Sequence, residues 1–171
     1  NLYCIDLDTG YQKWCIQTGD FVISKPAITS EGNIVFGSGD EFVYCASAND
    51  GNVIWNTKLG GSVLSDPLTS EGRVFIGCGD GKIYCLNSAS GEIVWGYQTD
   101  GLMRQRPILE NGILYAFVRD TYIWYAIDAS TGQLIWRGNA NTDESLFVCG
   151  DVRPVIANGK LWCIDAQNTR P

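Results

Sequence analysis

The stretch Ala126-Ile-Asp-Ala-Ser-Thr-Gly132-Gln-Leu-Ile-Trp136 decides the fold, because its pattern returns along the chain at a fixed spacing. In each copy a tryptophan follows a turn glycine by four residues. The four tryptophans are Trp14, Trp55, Trp95 and Trp136, at intervals of 41, 40 and 41 residues. A fixed period of about 40 residues is typical of an array of one supersecondary unit. The sequence therefore predicts a tandem repeat.

Each unit is predicted to contain four short antiparallel strands. Between residues 73 and 87 the apolar side chains alternate on both sides of Asp80-Gly81, which we expect to form a two-residue hairpin turn with positive backbone angles. Another strand begins upstream at Pro67 and turns through residues 70–72, and a further hairpin leads into the tryptophan strand. No segment has the apolar period of a helix, so we expect almost no helix.

Four-stranded antiparallel units of this length are the blades of a β-propeller. A β-sandwich, the alternative, would not predict the same turn and tryptophan in every unit. The sequence therefore predicts an all-β chain that forms one β-propeller segment of about four repeats over residues 1–171. The predicted full blades are residues 24–58, 65–98 and 105–138, and the predicted partial blades are residues 1–16 and 146–165.

One linker between units is longer than the others. Twelve residues separate each of the first three tryptophans from the next strand-opening proline, whereas eighteen separate Trp136 from Pro154. We expect the extra residues to form a surface loop within the polar stretch 139–145. The two partial blades are complementary. We therefore expect either an excerpt from a ring of seven or eight blades, which we favour, or a closed four-bladed ring.

The composition argues against several classes of function. The chain of 171 residues has a net charge of −7 and no basic cluster, which argues against nucleic-acid binding. It lacks any apolar run long enough to cross a membrane. It also lacks histidine, the commonest general base and a frequent ligand of catalytic metals.

The seven cysteines are not arranged for a metal site or a disulfide framework. No two are adjacent, none follows a C-x-x-C spacing, and their number is odd. Cys4, Cys45 and Cys85 occupy one repeat position, where the fourth unit has Ala126. This exchange predicts a small buried site, since free cysteine behaves as a small hydrophobe. Unpaired cysteines favour a reducing, cytoplasmic compartment.

The repeated motif resembles the tryptophan-docking repeat of the pyrroloquinoline-quinone (PQQ)-like β-propeller family. It reads small-x-Asp/Asn-x-x-x-Gly-x-x-x-Trp, with Asp6 and Asp128 in the first and fourth copies and Asn87 in the third. The second copy departs from it with Ser47. The resemblance covers nearly the whole chain and implies that each tryptophan packs between neighbouring blades. Members of this family are most often extracytoplasmic, which opposes the indication from cysteine usage.

The resemblance implies three possible functions. The repeat is shared by outer-membrane assembly lipoproteins, by quinoprotein dehydrogenases, and by propellers attached to adenylating enzymes, kinases and phosphoesterases. Only the dehydrogenases use the quinone, with adjacent cysteines and a calcium site, and this chain has no adjacent cysteines. We expect a non-enzymatic scaffold without cofactor or metal that binds a protein partner, a flanking domain or a small anion. The alternatives are a fragment of a PQQ- and calcium-dependent dehydrogenase and an accessory propeller of a hydrolase or adenylating enzyme.

Charged residues stand immediately before the strand-opening prolines. Because the innermost strand of a propeller blade begins at the axis, we expect these side chains to rim one mouth of the central channel. A concave, cationic mouth would hold an anionic ligand or a partner's carboxylates. The alternative is a set of solvated charges in which Asp66 pairs with a basic neighbour. The candidates are Lys25, Asp66, Arg106 and Arg153, with Arg104 close by.

Blade 105–138 departs from its neighbours around its central hairpin. Phe117-Val-Arg-Asp120 replaces the glycine-rich segments of the two preceding blades. Aromatic side chains combined with arginine are typical of interface hot spots. The alternative is that they fill a wider gap between blades. The interface candidates are Phe117, Arg119, Tyr122 and Trp124.

Aspartates recur every 40 residues at Asp40, Asp80 and Asp120. Such a spacing would suit a ring of metal-binding carboxylates. Each stands at a predicted hairpin turn, however, where aspartate tolerates the backbone geometry and bonds its own main chain. We therefore expect turn residues rather than metal ligands.

Overall fold

The computed structural model describes residues 1–139, 155–158 and 160–162. This part of the chain contains sixteen β-strands and no helix, which confirms the predicted all-β class. The strands are β1 (Leu2–Ile5), β2 (Gln12–Ile16), β3 (Ala27–Ile28), β4 (Ile34–Gly37), β5 (Phe42–Ala46), β6 (Val53–Lys58), β7 (Leu68–Ser70), β8 (Arg73–Gly77), β9 (Lys82–Asn87), β10 (Ile93–Gln98), β11 (Ile108–Glu110), β12 (Ile113–Val118), β13 (Ile123–Asp128), β14 (Leu134–Asn139), β15 (Val155–Ala157) and β16 (Lys160–Trp162).

The strands form sheets whose order follows the sequence. Three sheets have four antiparallel strands each, in the orders β3-β4-β5-β6, β7-β8-β9-β10 and β11-β12-β13-β14. At the two ends of the chain, β1-β2 and β15-β16 form separate two-stranded sheets. The described strands of the two ends therefore do not share one sheet, as a closed four-bladed ring would require. The larger ring stays a prediction.

The hydrophobic core lies between the sheets. Successive side chains of a strand point to opposite faces of its sheet, so a run of apolar residues makes both faces apolar. In β8, Val74 and Ile76 pack into a cluster with Val35 of the preceding sheet, whereas Phe75 packs into a cluster with Leu114 of the following sheet. Face-to-face packing on both sides is what stacked blades require.

The repeated cysteine position is a small core site, as predicted. Cys45 and Cys85 are fully buried, and so is Ala126 at the same place in the next sheet. Cys4 is partly buried in the first, two-stranded sheet. Burial raises the pKa of Cys45 to about 11, so its thiol stays protonated at neutral pH.

Each of the first three tryptophans contacts the next sheet along the chain. The indole N–H of Trp55 donates to the carbonyl of Ser88 at 2.9 Å, and Trp14 and Trp95 donate to the equivalent carbonyls. The indole rings cover the turn glycines of the following motif. A Cβ atom added at Gly91 would lie 2.5 Å from the Trp55 ring. The equivalent position for Trp136 lies outside the described residues.

The hairpin turns differ from the prediction at Asp80-Gly81. A two-residue turn with two positive angles is absent there, and only Gly81 has a positive φ, of 82°. The amide of Cys78 donates to the carbonyl of Lys82 at 2.9 Å, so the loop that this hydrogen bond closes contains three residues. The prediction was wrong because Asp-Gly also suits a longer hairpin that needs only one left-handed residue. Glu41 and Tyr122 hold the left-handed position in the neighbouring sheets.

The turns with two positive angles lie between the first and second strands instead. Glu71 and Gly72 have φ values of 48° and 71°, and Asn111 and Gly112 have φ values of 51° and 75°. These angles are those of the primed turn that matches strand twist. The prediction of a turn over residues 70–72 is confirmed. The pair of positive angles, however, was expected at Asp80-Gly81 and lies in this turn instead.

Candidate functional site

A cavity of about 600 Å³ lies where the first strands of the three four-stranded sheets begin. We call it the mouth cavity. Its position follows from contacts between successive first strands. Thr69 of β7 donates its hydroxyl to the carbonyl of Ile28 in β3 at 2.8 Å. The amide of Lys25 donates to the carboxylate of Asp66 at 2.7 Å. These contacts bring the residues that precede the prolines to one place.

The mouth cavity collects residues from both predicted candidate groups. Lys25, Asp66, Arg104 and Arg106 line it. That this cavity is the mouth of a central channel stays a prediction. Arg153 lies outside the described residues. Arg119, which we assigned to a separate interface, lines the same cavity.

Sequence reasoning missed that Arg119 and its neighbour Asp120 belong to this cavity. A signal was available. In an antiparallel blade, the start of the first strand and the hairpin between the second and third strands lie at the same end. The β12–β13 hairpin therefore had to lie beside the residues that precede the prolines.

The electrostatics of the mouth cavity differ from those of the whole chain. Four cationic side chains and two carboxylates line it, although the chain has a net charge of −7. The four cations are Lys25, Arg104, Arg106 and Arg119, and all are exposed. The three ion pairs found among the described residues involve none of them. Asp66 accepts from a backbone amide rather than pairing with a cationic side chain.

The hairpin that carries Arg119 and Asp120 is one residue longer than its counterpart. Five residues separate the paired Gly77 and Ile83, whereas six separate Phe117 and Trp124. The hydroxyl of Thr121 in this loop is buried without a hydrogen-bond partner among the described residues. The longer loop changes what the aspartate of the hairpin contacts.

In the shorter hairpins the aspartate is held by a tyrosine. Asp80 accepts from the hydroxyl of Tyr84 at 2.6 Å, and Asp40 accepts from Tyr44 at 2.8 Å. Burial opposes the ionisation of Asp40, but hydrogen bonds from Tyr44 and from two backbone amides hold its pKa below the usual value. These aspartates are structural turn residues, as predicted.

In blade 105–138 the tyrosine hydroxyl donates to an aspartate outside the hairpin. The hydroxyl of Tyr125 donates to Asp100 at 2.7 Å, and the same carboxylate oxygen accepts from Arg137 at 2.8 Å. Burial and the hydrogen bond to Asp100 raise the pKa of Tyr125. Asp120 is exposed and faces the mouth cavity instead.

Two of the predicted interface residues are buried. Phe117 and Trp124 are 7% and 5% exposed, and their rings pack against each other with centroids 4.9 Å apart. They are cross-strand partners in β12 and β13. This corrects the expectation of an exposed aromatic interface at these two positions, because both rings are buried. Arg119 is exposed, and Tyr122 is partly exposed at its left-handed position.

The described residues do not form a metal site. No three His, Cys, Asp or Glu side chains converge within residues 1–139, 155–158 and 160–162. At the mouth cavity, four cations surround the two carboxylates and would repel a calcium ion. The residues that line the mouth cavity therefore do not suit a calcium ion. Over the same residues, no helix is long and apolar enough to cross a membrane.

A family model described as outer membrane protein assembly factor BamB matches residues 1–81 and 69–168 of the chain. The match covers nearly the whole sequence and confirms the predicted PQQ-like repeat family. No curated protein sequence matches the chain.

Solved structures confirm the propeller fold. BamB from Moraxella catarrhalis is similar with a TM-score of 0.73 and 23% identity, over 91% of this chain and 47% of that one. A quinohemoprotein alcohol dehydrogenase from Comamonas testosteroni is similar with a TM-score of 0.61 and 22% identity, over 70% of this chain and 21% of that one. Saccharomyces cerevisiae Sqt1 is similar with a TM-score of 0.69 and 17% identity, over 79% of this chain and 41% of that one. The chain thus spans about half the length of that BamB and a fifth of that dehydrogenase.

Proposed function

Because the chain belongs to the family of the outer membrane protein assembly factor BamB, we propose that it is a non-enzymatic, protein-binding platform. The proposed partner site is the mouth cavity, and the proposed ligand is an acidic segment of a protein. The observation that carries this proposal is the convergence of four cations, none of them in a described ion pair, at one end of an otherwise acidic chain.

The chemistry of the cavity supports an acidic peptide with apolar side chains. Arg104, Arg106 and Arg119 each offer a planar donor pair that suits a carboxylate. Ile23 and Leu102 line the same cavity and are 64% and 37% exposed, so apolar side chains of a partner have a surface to cover. A concave cationic site also attracts acidic partners over a distance, more strongly at low salt.

We propose an extracytoplasmic location, which agrees with the outer membrane named in the family description. The five described cysteines are all free thiols, and three of them are buried. Buried thiols are protected by packing, so their presence is compatible with an oxidising compartment.

The test is the binding of a fluorescein-labelled peptide of alternating glutamate and leucine, measured by fluorescence anisotropy. The variant R104A/R106A/R119A should weaken binding about tenfold or more, because charge-assisted hydrogen bonds are lost. The control K13A/K58A/K160A removes the same charge from described cations outside the cavity and should leave the affinity within about twofold, because only long-range, screened attraction is lost.

Equal losses in the two variants would show that net charge alone drives binding and would contradict the proposed site. A second outcome concerns the ligand. Displacement of the peptide by citrate, at concentrations near the peptide's own Kd, would favour a small anion over a protein segment.

A further inference from the structure

A second cavity, of about 290 Å³, opens at the opposite end of the strands. It lies between the sheets β7–β10 and β11–β14, beside the turn Glu71–Gly72 and the segment Asp128–Ser130. We call it the inter-blade groove. It shares no lining residue with the mouth cavity, so a ligand in the groove would be independent of the proposed function.

The corresponding place between the two preceding sheets is bridged by a hydrogen bond. Both carboxylate oxygens of Glu31 lie 3.2 Å from the hydroxyl of Ser88, which is 2% exposed. The backbone equivalent of Ser88 in the next sheet is Ala129, since their carbonyls accept from successive tryptophans. Alanine has no hydroxyl, so Glu71, from the equivalent turn, cannot form this bridge.

Two opposite charges, those of Glu71 and Arg73, line the inter-blade groove. Arg73 is half-buried, and its only described side-chain hydrogen bond is a weak one to the sulfur of Cys85 at 3.6 Å. The carboxylate of Glu71 belongs to none of the ion pairs within the part of the chain that the structure describes.

The other carboxylate at the groove, that of Asp128, is engaged through one of its two oxygens. Asp128 accepts from both the amide and the hydroxyl of Ser130 and of Thr131. The hydrogen bond from the Ser130 hydroxyl, together with those from Thr131, lowers its pKa to about 2. The groups left for a ligand are therefore one guanidinium, the carboxylate of Glu71, the second oxygen of Asp128 and an apolar wall formed by Phe75, Leu109 and Ile113.

We propose that the inter-blade groove binds an α-amino acid with an aliphatic side chain. Its carboxylate would pair with Arg73, its ammonium group with Glu71, and its side chain would pack against the apolar wall. A simple anion would be repelled by Glu71, and a simple cation by Arg73. The cavity volume is at the lower end of the range for ligand sites, which suits a ligand of this size.

The test is calorimetric titration of the full chain with L-leucine. We expect saturable binding that R73Q and E71Q each weaken about tenfold or more, because each removes one charge-assisted contact. The matched control is E31Q, which changes the bridged groove and should not alter leucine affinity. Two leucine analogues, 4-methylpentanoate without the ammonium group and leucinamide without the carboxylate, should bind at least about tenfold more weakly for the same reason.

Several results would overturn the proposal. Absence of saturable leucine binding to the unmodified chain is the most direct. Equal affinity for leucine and 4-methylpentanoate would show that the ammonium group makes no contact with Glu71. Equal effects of E31Q and R73Q on leucine affinity would place the site elsewhere. Glu71 is exposed, so E71Q keeps the test decisive even if R73Q fails to fold.

Discussion

At the residue scale, the contact between a tryptophan and the glycine of the next motif explains why both recur. Gly91 has a φ of 74° and lies under the Trp55 ring, so it is required both by its backbone angle and by the lack of space. The spacing of the tryptophans was readable from the sequence. Which glycine each tryptophan covers was not, because a period does not say how one unit contacts the next.

The first prediction separates the two requirements on glycine. Gly10 has a φ of 72°, but a Cβ atom there would meet nothing within 4 Å, so G10A measures backbone strain alone. We expect G10A to lower the free energy of unfolding by about 1 kcal/mol. G91A should lower the free energy of unfolding by about 1–3 kcal/mol more than G10A does, because its methyl group also clashes with Trp55. Urea unfolding of both variants measures the difference, and equal losses would contradict the contact.

The second prediction concerns pH and Tyr44. Burial and the hydrogen bond to Asp40 raise the pKa of Tyr44 to about 12. A raised folded-state pKa stabilises the fold below the ordinary tyrosine value of about 10, and this stabilisation is lost as pH rises through the folded value. The stability advantage of the unmodified chain over Y44F should therefore shrink from about pH 10 to pH 12. Urea unfolding of both proteins over this pH range tests the prediction. A stability difference that stays constant with pH would show that the pKa of Tyr44 is not raised in the folded state.

At the element scale, the β12–β13 hairpin shows where sequence reasoning stopped. The strands and their turns could be predicted from alternation and from turn residues. The sequence does show that this hairpin has an extra residue, because Asp80 and Asp120 are 40 residues apart while Tyr84 and Tyr125 are 41 apart. One residue is inserted between the aspartate and the tyrosine. Only the three-dimensional contacts show that Asp100 replaces Asp120 as the partner of Tyr125.

The third prediction tests this replacement. D100G should lower the free energy of unfolding by about 1–3 kcal/mol, because it leaves the buried Tyr125 hydroxyl without its acceptor. Deleting Thr121 restores the shorter hairpin, in which Asp120 would reach Tyr125 as Asp80 reaches Tyr84. The deletion should therefore recover part of the loss in the D100G background. Strictly additive effects in this double-mutant cycle would show that loop length and Asp100 are not coupled.

At the scale of the whole molecule, the sequence predicted stacked blades and the gathering of the residues that precede the prolines at one place. Both follow from the repeat, since equivalent residues of successive blades meet at equivalent places. The inter-blade groove could not be predicted in this way. It depends on the loss of a single hydroxyl at Ala129, and the sequence does not show that Ser88 at the equivalent position bonds a glutamate of the neighbouring sheet.

The central claim is that the mouth cavity selects acidic protein segments by charge. Its most direct test is the ratio of affinities for two labelled peptides, one alternating glutamate with leucine and the other lysine with leucine. The unmodified chain should prefer the acidic peptide by about tenfold or more, and R104E/R106E/R119E should prefer the basic one, because the pairing charges are inverted. A reversed variant that still prefers the acidic peptide, or an unmodified chain without preference, would contradict the claim.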